Sequence, residues 1–285
     1  HRVGQALPQI PETKQPVDRS SDLFESSVSF LGLKPTKNRF QWTLEVTDHI
    51  AGATGTLHGG CGLAAAASAM ERATDRPISF IAGQYLARAP VGSEVIIEID
   101  ELAVGNRVTQ ASAVCRFEGA VVLRASGASG GHELGVDRAW PHSPAVPPPD
   151  ECPIRPPTSE SGHSFTDYAD IRLAGQSPGE AVVYYWARLR VGIASSPEGL
   201  IALADLIPSG MRVSLDMAFK GSSLDHTVRI ASAEESEWVL IRIEADAIRN
   251  SIGQGRVEIY SQIGNLLATG SQSFAISALT GPLDR

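Results

Sequence analysis

The chain has few cysteines, no excess of basic residues and no long apolar run. Its cysteines (Cys61, Cys115 and Cys152) number three in 285 residues, with no metal-ligand spacing around them. That excludes a disulfide framework, and with it a small stapled fold. They read as reduced thiols, so a cytoplasmic location and no metal are expected. Lys and Arg total 24 against 32 Asp and Glu, a net charge of −8. A non-specific nucleic-acid binder carries a basic footprint, so none is expected here. The longest apolar stretch, around Gly62 to Met70, is far short of the about 20 residues a membrane span needs. The N-terminal stretch has no apolar segment of a secretion signal and reads as a frayed, non-secreted start. Apolar residues are nevertheless plentiful at 42%, enough for a normal core. At about 150 residues per domain, the length suggests two units.

Proline is concentrated in one place. Pro141, Pro144, Pro147, Pro148, Pro149, Pro153, Pro156 and Pro157 fall together. Such density removes backbone donors and fixes an extended chain, which predicts a linker over 132–178 between units at 1–131 and 179–285. The flanks match each other. Val95–Asn106 aligns with Val239–Asn250 at an offset of 144, and Trp42 with Trp186 at the same offset. One extra residue then sets Gly119 opposite Gly264 and Ser126 opposite Ser271. Shared Trp, Asn and Gly landmarks at one offset point to an internal duplication.

Each half runs in the same order. A strand (39–46; 181–191) is followed by a small-residue helix (60–73; 197–207) and then by β-rich runs. These are expected at 78–88, 93–104, 107–117 and 120–129, and at 212–219, 224–231, 237–249, 253–262 and 265–276. A helix followed by antiparallel strands is an α+β pattern. The Ala-rich first helix has no charged face, so the expected packing is a sheet wrapped around it.

These segments resemble a known family. The strand, the helix opened by Thr56-Leu57-His58-Gly59-Gly60 and the following sheet resemble a hot-dog fold. Two such units resemble the double hot-dog acyl-CoA thioesterase II family over roughly residues 39–131 and 180–276. The resemblance is carried by Ser79-Phe80-Ile81, Tyr85-Leu86 and Gly105-Asn106 in the first half. In the second it is carried by Ser223-Leu224-Asp225-His226-Thr227, Glu237-Trp238 and Gly270-Ser271-Gln272. It implies two tandem hot-dog units, hydrolysis of acyl-CoA by an activated water, a place in fatty-acid metabolism and no cofactor. The expected partner is the acyl-CoA substrate, with a homo-oligomer open.

In that family an Asp, a Gln and a Thr or Ser orient the water. The matching positions here are Asp225, Gln272 and Asp246. Asp225 is expected as the base. Its first-half counterpart is Ile81 and that of Gln272 is Gly127, the asymmetry expected where one copy of a duplicated site keeps its chemistry. The plain alternatives are a turn-capping Asp and an outward strand Gln. Asp246 departs from Thr or Ser. Either it joins Asp225 as a second acid/base, or it faces away, or the site is altered. The Gly59, Gly60 and Cys61 amides at the helix start are expected to receive the thioester oxygen, helped by the helix dipole. The rival reading is a tight turn whose glycines are only steric. His58 and Asp205 rank lower: His58 reads as a capping or packing residue, and Asp205 sits where single hot-dog enzymes carry a carboxylate, one residue off spacing. Coenzyme A phosphates call for arginine, and Arg88, Arg107 and Arg249 lie near expected strand ends without distinguishing features.

Two other functions fit less well. One is a non-catalytic acyl-binding or assembly module on the same fold. The other is hydration or dehydration of an enoyl-CoA, which needs an Asp/His pair. Asp48-His49 lies in the wrong context, and Asp225 and His226, as strand neighbours, point to opposite faces.

Overall fold

The structure, a computed structural model, describes residues 31–155, 164–176, 181–190 and 193–283. The start expected to be frayed lies outside these residues.

The described residues form twelve strands in one antiparallel sheet. The first unit contributes β1 (Leu33–Pro35), β2 (Gln41–Glu45), β3 (Ile78–Tyr85), β4 (Glu94–Val104), β5 (Val108–Phe117) and β6 (Ala120–Gly130). The second contributes β7 (Ala169–Gln176), β8 (Val182–Leu189), β9 (Met217–Ile230), β10 (Val239–Arg249), β11 (Ile252–Ser261) and β12 (Leu266–Pro282). The order is β1-β2-β4-β5-β6-β3-β9-β12-β11-β10-β8-β7. Read outward from the β3–β9 seam, the two halves have identical order, as a duplication requires. Trp42 and Trp186 occupy the matching strands β2 and β8. The seam runs from Phe80 opposite Arg229 to Gln84 opposite Asp225.

Helix α1 (Gly59–Thr74) is buried on nearly every face. Its Leu63-Ala64-Ala65-Ala66-Ala67 run combines high helix propensity with side chains small enough for close packing. It ends at Asp75, in the left-handed region at φ 54°. Helix α2 (Phe165–Tyr168) is a single turn. Helix α3 (Pro197–Ala204) has its own cap, Ser196 Oγ accepting from Gly199 N at 3.1 Å, with Pro197 in its first turn. Helix α4 (Ile207–Leu215) follows at once. A hydrophobic core runs through both units, from Leu31 to Phe274, beside a smaller cluster around Trp186 and Trp238.

Two expectations change. Of residues 212–219, expected as strand, the first four end α4, Asp216 caps it, and the last three open β9. Pro208 falls in its first turn, where proline starts rather than breaks a helix, and Ile207 and Met211 share its buried face. The stretch expected as linker, 132–178, contains β7, which pairs along β8. Its proline-rich part is fastened down: Trp186 Nε1 donates to Pro147 O at 2.8 Å, and Cys152 packs with Trp186 and Trp238. The α+β tandem architecture is as expected.

Candidate active site

The site forms where the end of α3 meets the start of α1. The first amides of a helix have no intrahelical acceptor. His58, at the N-cap of α1, makes no capping bond with its side chain. Instead the Gly60 amide donates to Asp205 Oδ2 at 2.6 Å. Asp205 caps the end of α3 and is buried. The approach leaves no room for larger residues. A Cβ on Gly60 would fall 2.6 Å from Ala202 O and 2.8 Å from Asp205 Cβ. One on Gly59 would fall 2.9 Å from Asp205 Oδ2 and 3.1 Å from the Tyr85 ring. The glycines are therefore required where two helix ends and a carboxylate converge.

Gln272 comes in from β12 and is 2% exposed. Its Nε2 donates to Asp205 Oδ1 and, at 3.0 Å, to Ser223 Oγ. His226 lies opposite it in register and is fully buried. A bulge in the β9–β12 pairing lets Ser223 reach Gln272. The register steps from Ser273–Asp225 to Phe274–Ser223, leaving Leu224 as the extra residue. Ser223 and His226, three positions apart, then both face inward. His58 Nε2 stands 3.5 Å from Asp205 Oδ2. Beside this cluster is a cavity of about 410 Å³, lined by His58, Gly59, Tyr85, Asp205 and Ser223 among others. That lies within the usual range for small-molecule sites.

Several polar atoms around it have no hydrogen-bond partner among the described residues: His58 Nδ1, Tyr85 Oη, Gln272 Oε1 and both His226 ring nitrogens. Buried polar groups are normally paired, and two of these residues, His58 and Tyr85, line the cavity, so its wall offers unspent polar atoms to a guest. The electrostatics agree. Burial pushes the His58 pKa down, against the pull of Asp205, and does the same to His226. Both rings are neutral at pH 7. Burial, reinforced by Asp205, holds the Tyr85 hydroxyl well above its ordinary pKa, so it stays a proton donor. The same two causes push the Cys61 thiol well up, and it stays protonated and a poor nucleophile.

The sequence expectations divide. Gly59, Gly60, Cys61, Gln272, His58 and Asp205 come together. Asp225 does not join them. It faces the other side of β9 with Thr227, into an open cavity of about 450 Å³ shared with Gln84, Arg124 and Ser126. Its Oδ1 accepts from Ser273 N at 3.0 Å, bracing the bulge. The physical reason is strand parity: His226, Val228 and Ile230 form the inner face, so Asp225, Thr227 and Arg229 form the outer. Asp246 is exposed on β10 and pairs with Arg256 at 2.8 Å. The outer-face placement separates both carboxylates from Gln272. Tyr85, Ser223 and His226 were not anticipated as site residues. The alternation in His226-Thr227-Val228-Arg229-Ile230 signals His226. Nothing in the sequence signals the bulge that turns Ser223 inward.

A polar pocket at a helix start, between two matched units of a single sheet, defines a double hot-dog protein of thioesterase type. Residues 47–130 match the profile of the acyl-CoA thioesterase N-terminal domain, and residues 143–276 that of the C-terminal domain. The chain belongs to the acyl-CoA thioesterase family. Among curated proteins no sequence matches. A solved structure described as a thioesterase from Novosphingobium aromaticivorans is 26% identical, with a TM-score of 0.81 over 86% of this chain and 98% of that one. A hot-dog protein from Alicyclobacillus acidocaldarius is 19% identical, with a TM-score of 0.76 over 89% and 98% of the two chains. The acyl-CoA thioesterase II TesB2 of Mycobacterium marinum is 16% identical, with a TM-score of 0.72 over 90% and 98%. The last two support the fold alone. No helix among the described residues is long and apolar enough to cross a membrane.

Proposed function

We propose that this chain hydrolyses acyl-CoA thioesters to free acid and coenzyme A, with Asp205 rather than Asp225 as the general base. The observation that carries the reading is the contact set of Asp205: a buried carboxylate on the Gly60 amide, on the Gln272 amide and at the wall of the cavity.

A water beside Asp205 gives its proton to the carboxylate as its oxygen attacks the thioester carbon. Gln272 Oε1, which has no partner among the described residues, accepts the water's other hydrogen and sets its direction. Ser223 Oγ fixes the Gln272 amide from behind. A carboxylate, an amide and a hydroxyl thus assemble with Ser223 in the place expected of residue 246. Negative charge builds on the carbonyl oxygen. The first-turn amides of Gly59 and Cys61 and the positive end of α1 stabilise it. The protonated Tyr85 hydroxyl is a further donor at the same wall. When the tetrahedral species collapses, the carbon–sulfur bond breaks and protonated Asp205 returns its proton to the leaving thiolate.

The test is thiol release over a panel of acyl-CoA chain lengths, with Asp205→Asn and Asp225→Asn beside the parent. Loss of turnover in Asp205→Asn alone supports the assignment. Full activity in Asp205→Asn removes it as the base, and no turnover by the parent on any chain length turns the reading to a non-catalytic acyl-binding module.

A further inference from the structure

The cavity at Asp205 is not the wholly apolar slot that an alkyl chain alone would select. Two arginines line it from the second unit, Arg155 and Arg212. Both are held in place. The Arg155 amide donates to Ile171 O at 2.8 Å, one residue after Ile154 forms a bridge to Arg172. Arg212, in the last turn of α4, donates from Nε and Nη2 to Phe219 O at 3.3 and 3.1 Å. Its guanidinium lies over the Phe219 ring, 4.4 Å from the centroid. Neither guanidinium forms an ion pair with a carboxylate among the described residues. The acid that acts on Arg155 is Asp167, whose Oδ2 already accepts from Ser164 Oγ at 2.7 Å.

Two partly buried cations on one wall are unfavourable unless something offsets them. Burial lowers the pKa of each, and the charge of Arg155 lowers that of Arg212 further. Arginine does not escape by losing its proton, and beyond Tyr185, which acts on both, and Asp167, which acts on Arg155, an anion in the cavity would offset the charge. The planar fork of a guanidinium matches phosphate and carboxylate oxygens. Arg212 has spent only Nε and Nη2 on Phe219, and its Nη1 has no bond among the described residues.

We infer that Arg155 and Arg212 form an anion subsite, built into the catalytic cavity, for a phosphate or carboxylate group of the substrate. The inference rests on the thioester reading for what enters the cavity, but not for the binding of an anion. The group has two possible sources: the phosphates of coenzyme A, or a carboxylate at the far end of the acyl chain.

The experiment uses Arg155→Gln and Arg212→Gln, with Arg155→Lys and Arg212→Lys as charge-keeping controls and the unfolding midpoint of each measured alongside. Calorimetry with coenzyme A, phosphate-free pantetheine, inorganic diphosphate and succinate reads binding without turnover. Kinetics follow with methyl-ended and carboxy-ended acyl-pantetheines. Each Gln variant is expected to weaken the anionic probe by about tenfold or more and to leave the neutral methyl-ended thioester unchanged. Weakening confined to coenzyme A and diphosphate identifies the phosphate source. Weakening confined to succinate and the carboxy-ended thioester identifies the carboxylate. Unchanged binding of every anion in folded Gln variants overturns the subsite, as does equal weakening of the neutral thioester. A parent that turns over no thioester removes the hydrolytic reading, while the binding arm still decides the subsite.

Discussion

The two units present two helix starts, and they have diverged. The start of α1 lacks a side-chain cap of its own and opens beside a cavity, with Asp205 and Gln272 supplied by the other unit. The start of α3 is closed. Ser196 caps it, Pro197 fills its first turn, and Glu198 is buried beside an acidic neighbour, Glu71, with its Oε1 unpartnered among the described residues. Behind it, Gly127 stands where Gln272 stands in the second unit, and a Cβ there would meet Met70 Sδ at 3.3 Å. The same backbone thus carries an uncapped helix start beside a cavity once, and a capped start with a buried acidic pair once. Fold alone does not make a site; the side chains at one helix start do.

The sharpest way to break this comparison is to remove the carboxylate. Asp205→Asn should lower the thiol-release rate by about 10²–10⁴-fold, the usual worth of a positioned base. Asp225→Asn should stay within a few-fold of the parent, because Asp225 braces a bulge from the outer face. A reversal of these two rates would return the site to the other side of β9.

The closed helix start should show itself in pH dependence instead. Burial first, then the charge of Glu198, lift the Glu71 pKa to about 8, while Ile78 N–H and Arg72 oppose the shift. A carboxyl raised in the folded state holds a proton there that the unfolded chain releases. Stability is therefore highest at low pH and falls as pH rises between the unfolded value near 4.5 and about 8. The loss is on the order of a few kcal/mol. Urea unfolding at pH 5, 6.5 and 8 should show that slope, and Glu71→Gln should flatten it while keeping an acceptor for Ile78 N.

Next in size are two glycines. Gly60→Ala and Gly199→Ala should each cost about 1–3 kcal/mol of stability, since each new methyl meets backbone oxygen at 2.6 Å. Only Gly60→Ala should also lower turnover, because its methyl displaces Asp205. Equal kinetic loss in both would erase the distinction between the helix starts. The smallest effect belongs to Asp246→Ala. It removes an exposed ion pair with Arg256 worth about 0–1 kcal/mol and should leave thiol release unchanged.

Much of the architecture was legible in the sequence because duplication is an arithmetic signal. Trp42 and Trp186, at one offset, fall on equivalent strands. Two elements were hidden by proline. Pro153 and its neighbours masked β7, which follows them, and Pro208 stands just where the expected helix 197–207 ends and α4 begins. For the site, the glycines of α1 and Gln272, whose first-half counterpart is Gly127, were visible. The base was not. Asp225 carries the family's sequence pattern, but a bulge and strand parity decide which side chains face inward, and both depend on pairing with β12. Asp205 was visible only as a carboxylate ending a helix. Its partner, the Gly60 amide, lies 145 residues away and becomes its neighbour only when the two helices pack side by side and antiparallel.

The β3–β9 seam joins the units on one chain, and this has a consequence for what mutation can reach. In a dimer of identical subunits every substitution occurs twice, once at each symmetry-related place. A carboxylate added for chemistry at one helix start would be buried without purpose at the other, and a capping serine that seals one would seal both. Covalent fusion removes that coupling. Each start can be altered alone, so this chain can spend one on chemistry and the other on packing.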